Sequence, residues 1–213
     1  MNTVHTVSFL ALGIVLGSRS AEAQPATFEV LPDESSTVVD VHKSGVLSPA
    51  LHDHHFHVEK WSGSFTFDPE HLETVHGEVV FEAASLRDKQ PELSAADEQK
   101  VNRQVHGPEI LDAARYPTIR LSFDRLEILE RGNGTVRGRL VGSLTLHGQT
   151  RPIRVPMAAS FRADRLHAVG ATAFKVSDFG IKPPSKALGA IGVADRLDVH
   201  FDLAAAVKPA NSP

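Results

Sequence analysis

Val136-Arg137-Gly138-Arg139-Leu140-Val141-Gly142-Ser143-Leu144-Thr145-Leu146 carries Val136, Leu140, Leu144 and Leu146 on one face, with Gly138 and Gly142 between them. That period of two belongs to a half-buried β-strand, whose successive side chains point to opposite faces. Just before it, Arg131-Gly132-Asn133-Gly134 is a hairpin signal, because Gly and Asn tolerate positive φ. Upstream of that turn, Ile119 to Leu129 places Ile119, Leu121 and Phe123 on one side. Downstream, His147-Gly148-Gln149 turns into Ile153 to Phe161, and Arg162-Ala163-Asp164 turns into Leu166 to Val176. A last strand, Arg196 to Val207, directs Leu197, Val199, Phe201 and Leu203 inward. Toward the N-terminus the same reading gives a strand over Ser36 to His42 and a long strand or bent pair over Leu51 to Phe67, broken near Ser62-Gly63. Val75 to Ala83 follows, with Val75, Val79, Phe81 and Ala83 on one face.

One segment breaks the period. Ser94 to Val105 (SAADEQKVNRQV) is polar, free of Gly and Pro and rich in helix formers. Ser94 has the character of an N-cap, with Asp97 three residues on as in a capping box. Ile110 to Ala114 adds a further helical turn before Tyr116-Pro117. The expectation is an all-β chain: eight antiparallel strands closed into a barrel, with one helical excursion around residues 94–114. Such a barrel holds either packed side chains or one elongated ligand. The inward Gly138, Gly142 and Gly170 fit two readings, sharp strand curvature or a hollow interior.

Composition limits the function classes. The chain has 213 residues with 41% hydrophobic ones, enough for the core of one domain. Lys plus Arg is 22 against 26 for Asp plus Glu, a net charge of −4, which argues against nucleic acid as a partner. Cys is absent, which removes disulfides, thiol nucleophiles, thiolate zinc sites and iron–sulfur clusters. At the N-terminus, the apolar run Val7 to Leu16 is too short to span a bilayer and leads to Ala21-Glu22-Ala23, an A-x-A cleavage pattern. The expectation is a signal peptide over residues 1–23, a domain over 24–207 and a frayed tail over 208–213. The mature form is then periplasmic or secreted, without an integral membrane anchor. Its oligomeric state, a dimer included, is open.

Among the 12 His residues, five lie between His42 and His57. In Leu51-His52-Asp53-His54-His55-Phe56-His57 an extended strand places His52 and His54 on one face, spaced to share a divalent metal ion. A solvated His-rich rim is the competing reading, and no HExxH spacing accompanies the pair. No G-x-S-x-G or glycine-rich phosphate loop occurs. Glu78 and Glu82 alternate outward as a solvated face. The residues therefore argue for binding rather than for an enzyme.

A set of segments stands in a fixed order: Ser36-Thr37-Val38, Trp61-Ser62-Gly63-Ser64-Phe65-Thr66-Phe67-Asp68-Pro69, Ser85-Leu86 and Leu111-Asp112-Ala113-Ala114-Arg115-Tyr116-Pro117-Thr118-Ile119, then Gly138-Arg139-Leu140, Leu144 to Pro152, Asp178-Phe179-Gly180-Ile181 and Val193 to Leu197. In their order and spacing these segments resemble the YceI-like family of bacterial periplasmic lipid-binding barrels. The resemblance runs from about Phe28 to Val207. It implies an extended, lipocalin-like eight-stranded barrel with an internal tunnel for a polyisoprenoid or another long amphiphile such as a fatty acid. The segment between Leu86 and Ile110 is longer and more helical than the family pattern, and the stretch from Leu51 to His57 is richer in His. Inward apolar residues available to line such a tunnel are Phe65, Phe67, Val79, Phe81, Phe123, Leu140, Leu144, Phe161, Phe174 and Phe201. The leading expectation is a carrier of a hydrophobic small molecule. The second is a His-dependent metal-binding protein on the same barrel.

Overall fold

Alternating apolar residues need a second apolar layer, and here a single antiparallel sheet supplies it by curling onto itself. A computed structural model describes residues 25–45, 53–90, 93–162, 164–186 and 191–208. The expected signal peptide, His52 and the tail beyond Lys208 lie outside the described residues. Lys208 itself is tied down: its N–H donates to the Thr27 carbonyl at 2.8 Å and its Nζ reaches Glu29 at 2.8 Å.

In chain order the elements are β1 (Ala26–Val30), β2 (Ser36–Ser44), β3 (His54–Val58), β4 (Trp61–Phe67), β5 (His76–Glu82) and β6 (Leu86–Asp88). There follow α1 (Ala95–His106), β7 (Thr118–Gly132), β8 (Thr135–Leu146), β9 (Gln149–Arg162), β10 (Arg165–Lys175), β11 (Ser185–Lys186) and β12 (Ile191–Val207). The ring β1-β4-β5-β7-β8-β9-β10-β12 closes where β12 pairs β1, Phe28 facing Val207. This is the expected eight-stranded barrel. β2, β3 and β6 continue the staves begun by β1, β4 and β5, because β12 pairs β1 at one end and β2 along its remaining length.

The interrupted staves have local causes. β1 and β2 are separated by a turn at Pro32–Glu34, closed by the Ser35 hydroxyl on the Leu31 carbonyl. The break in the 54–67 stave falls at Glu59-Lys60, not near Ser62-Gly63 as the sequence suggested. Ser85 makes the difference: its carbonyl accepts from Glu59 N–H and its hydroxyl from Lys60 N–H, so the 83–85 turn draws the neighbouring strand into a kink there. Gly63 instead lies inside β4 opposite Val79.

Gly138 and Gly142 fit the curvature reading. A Cβ on Gly142 would lie 2.0 Å from the Ser122 carbonyl oxygen, and one on Gly138 would lie 2.5 Å from that of Glu127. Both sit beside register shifts in the β7–β8 ladder, between Phe123 and Arg125 and between Ile128 and Glu130. The bulges bend β7 against β8, and only Gly leaves room for the close approach.

The helix is capped as its sequence indicates, with Ser94 Oγ accepting from Asp97 N–H at 3.2 Å. It ends at His106, and residues 107–115 form successive hydrogen-bonded turns rather than a further helical stretch, with Asp112 at φ +44°. β7 pairs β5 but not β6, so β6 presents an open edge. α1 covers it with two side chains one turn apart: Asn102 Oδ1 accepts from Asp88 N–H at 2.9 Å, and His106 Nε2 contacts the Leu86 carbonyl at 2.8 Å. The barrel also splays between β9 and β10, which pair only over residues 157–162 and 165–170. Both openings lie at the same end. An apolar cluster including Leu111, Val176, Phe179 and Ile181 packs there against Leu146.

Candidate functional site

The inward face of the sheet encloses an elongated cavity of about 220 Å³. It reaches from Phe67 and Phe161 near the β9–β10 hairpin to Leu111 and Leu146 at the splayed end. The ten steps of β8 from Val136 to Leu146 cover about 33 Å along the strand and about 25 Å along the barrel axis at the usual tilt. A space that long and that small in volume is thin. It matches a single extended chain better than a compact ring system.

Every wall residue is apolar except Thr37 and Thr172. Phe65, Phe67, Val79, Phe81, Phe123, Leu140, Leu144, Phe161, Phe174 and Phe201 all lie on the wall. Alternation puts them there: β4 and β5 contribute their odd-numbered residues, and β8 contributes Val136, Leu140, Leu144 and Leu146. The sequence reading left Trp61, Met157, Thr37, Val39 and Val58 out of the wall, and all five also line the space. For Val39, Val58 and Met157 the usable signal was the same alternation in β2, β3 and β9. Trp61, the only Trp, stacks on Phe81 with centroids 5.5 Å apart, midway along its stave and so in the wall rather than at a barrel end. Gly170 is filled from within: a Cβ there would lie 2.5 Å from the Phe201 ring.

The His residues part into an inner and an outer set. His54, opposite Val41 in the ladder, faces inward at the splayed end, and its Nδ1 donates to Asp88 Oδ2 at 2.5 Å. Asp88 is fully buried beneath α1. His55 faces outward and contacts Asp40 at 2.6 Å, while His200 reaches the other Asp40 oxygen at 3.2 Å. His42 lies between Asp198 at 3.0 Å and Asp53 at 3.5 Å. The hydrogen bond to the Asp198 carboxylate raises the His42 pKa above the usual imidazole value; partial burial opposes it, and Asp53 adds to the rise. Among the described residues no three His or carboxylate groups are placed to hold a metal ion. His54 is committed to Asp88, and its supposed partner His52 is outside those residues.

Ser85 is 3% exposed, and its hydroxyl donates to the Glu82 carbonyl at 2.7 Å, which makes it a strut of the turn. Glu78 pairs with Arg120, and Glu82 with Lys60, on the outer face. No helix among the described residues is long and apolar enough to cross a membrane.

Comparison with known proteins places this arrangement. A UPF0312 protein of Vibrio cholerae serotype O1 is 26% identical over 149 residues, 67% of this chain and 70% of its own length. A UPF0312 protein of Pseudomonas savastanoi pv. phaseolicola is 25% identical over 205 residues, 92% of this chain and 95% of its own. Among solved structures, Burkholderia cenocepacia BcnA superimposes with a TM-score of 0.63 at 20% identity, over 82% of this chain and 98% of its own. A structure described as a polyisoprenoid binding domain from Saccharophagus degradans, implicated in plant cell wall breakdown, gives 0.61 at 12% identity, over 86% and 99%. At such identities the structural likeness speaks for the barrel alone. The model of the YceI-like domain matches residues 28–205, nearly the whole barrel, and the chain belongs to the YceI-like domain family.

Proposed function

We propose that this protein is an exported carrier that holds one long amphiphilic chain, of polyisoprenoid or fatty-acid type, inside its barrel. The observation that carries the reading is the cavity: long, thin and walled by apolar side chains along its whole length. Moving a CH₂ group from water to such a wall gains about 0.8 kcal/mol, so a chain of a dozen or more carbons offsets the cost of association and ordering without any charged contact. The Saccharophagus degradans relative, described as polyisoprenoid-binding, supports the choice of ligand class. The Val7 to Leu16 run and the Ala21-Glu22-Ala23 pattern support export, which brings the barrel to a compartment where water-insoluble chains need a shielded route.

Trp61 offers a built-in reporter, being the only Trp and part of the wall. Titration with all-trans-geranylgeraniol is expected to shift or quench its fluorescence and to saturate at one equivalent. A Trp61 signal unchanged by excess geranylgeraniol and by excess palmitate would contradict the reading.

A further inference from the structure

The ladder between β9 and β10 stops at Met157 and Gly170, and the sequence of β9 explains why. Phe161 donates its N–H to the Gly134 carbonyl on the β8 side, so odd-numbered residues of β9 turn their backbone groups toward β8 and even-numbered ones toward β10. Pro152 and Pro156 are even-numbered and stay paired with β8, opposite Ser143 and Arg139. Continued at the same register toward β10, Pro156 would meet Ala171, Arg154 would meet Ala173 and Pro152 would meet Lys175. Two of those three positions have no N–H to donate, and the strands part where the first proline falls.

The parting leaves a slot in the side of the barrel. Its inner lips are cavity-wall residues, Ile153 and Val155 of β9 and Thr172 and Phe174 of β10. The turn Val176–Phe179 fills the slot and packs against both strands. Phe179 is buried and meets the Phe174 ring edge-on, with centroids 5.4 Å apart, yet it is not itself on the cavity wall. Among the described residues, the turn's hydrogen bonds to the barrel are two, both from Ser177 to Asp195 of β12. The N–H reaches Oδ1 at 2.9 Å and the hydroxyl reaches Oδ2 at 2.7 Å.

The opening beside β6 is closed differently. There α1 bonds to the strand backbone itself, and lifting it would break the contacts to Asp88 N–H and the Leu86 carbonyl. Moving the Phe179 turn breaks only the two exposed Ser177 bonds, for which water substitutes, and apolar contacts of the kind an entering chain supplies. We infer that the slot between β9 and β10 is the portal through which a long flexible chain enters and leaves the tunnel, with the Phe179 turn as its stopper and the Ser177–Asp195 pair as its clasp. This deepens the carrier reading and rests on it.

The test follows geranylgeraniol uptake and release by stopped-flow Trp61 fluorescence. The chain has no Cys, so a Ser177→Cys, Asp195→Cys pair gives one disulfide, its closure checked by loss of free thiol. The oxidised form should take up the probe slower than its reduced form by an order of magnitude or more, and reduction should restore the rate. Asp195→Ala frees the turn without touching the cavity wall. It should speed uptake and release together by about fivefold, the scale of the lost hydrogen bonds, with the dissociation constant near the parent's. An oxidised form as fast as the reduced one, or an Asp195→Ala protein that exchanges at the parent's rate, overturns the portal while the carrier stands. If the parent takes up no probe, the carrier reading falls, and the portal with it.

Discussion

Leu144→Arg should destabilise the barrel by about 3–5 kcal/mol, whereas Thr145→Arg, one residue on, should cost less than about 1 kcal/mol. Leu144 is 6% exposed, on the cavity wall and opposite Leu121, so a guanidinium there would be buried without a partner. Thr145 lies on the outer face, where its hydroxyl pairs with that of Thr150 at 2.9 Å, and an Arg can extend into water. For a domain of this size the inward change amounts to roughly 10 °C or more in melting temperature. Thermal unfolding of the two variants beside the parent checks it. Equal damage from both would mean that the assignment of faces along β8 is wrong.

Gly142→Ala should cost about 3 kcal/mol, although alanine is the smallest side chain available. Its Cβ would lie 2.0 Å from the Ser122 carbonyl oxygen and 2.7 Å from Phe123 Cα, both backbone atoms that cannot swing aside. Relief requires moving β7 away from β8 at the bulge, and with it the wall residues Phe123 and Leu140 on either side. The expected signs are a melting temperature lower by about 6–12 °C and a weaker response of Trp61 to geranylgeraniol. A variant as stable as the parent would show that the strands do not approach as closely as the structure has them.

These two positions also mark what the sequence makes legible. The inward course of Val136, Leu140, Leu144 and Leu146 follows from a period of two, which is also why Phe65, Phe67, Val79 and Phe81 were readable as wall residues. The same period misleads in β7. Ile119, Leu121 and Phe123 face inward, but Leu126 and Ile128 continue the inner face after the bulge near Asp124 has shifted the parity. Leu129, at the next shift, is left 54% exposed. A bulge adds one residue to one strand of a pair, and nothing in a lone strand's pattern marks where. Gly142 marks it only once β7 is known to be its neighbour.

The kink at Glu59-Lys60 was hidden for a similar reason, because its cause is Ser85 in another stave. The His-rich stretch drew attention through composition, yet partners distant in sequence decide its chemistry. Asp88 takes His54, Asp40 takes His55, and Asp198 holds His42, in each case through strand pairings that local spacing does not encode.

The carrier account meets its most direct test in native mass spectrometry of the protein isolated from the periplasm without added lipid. The account predicts a population heavier than the polypeptide by one long-chain lipid, released on unfolding and identified as a neutral polyisoprenoid or fatty-acid derivative, on a chain that begins at Gln24. A spectrum containing only the bare polypeptide, from protein that is folded and has never met detergent, would contradict it.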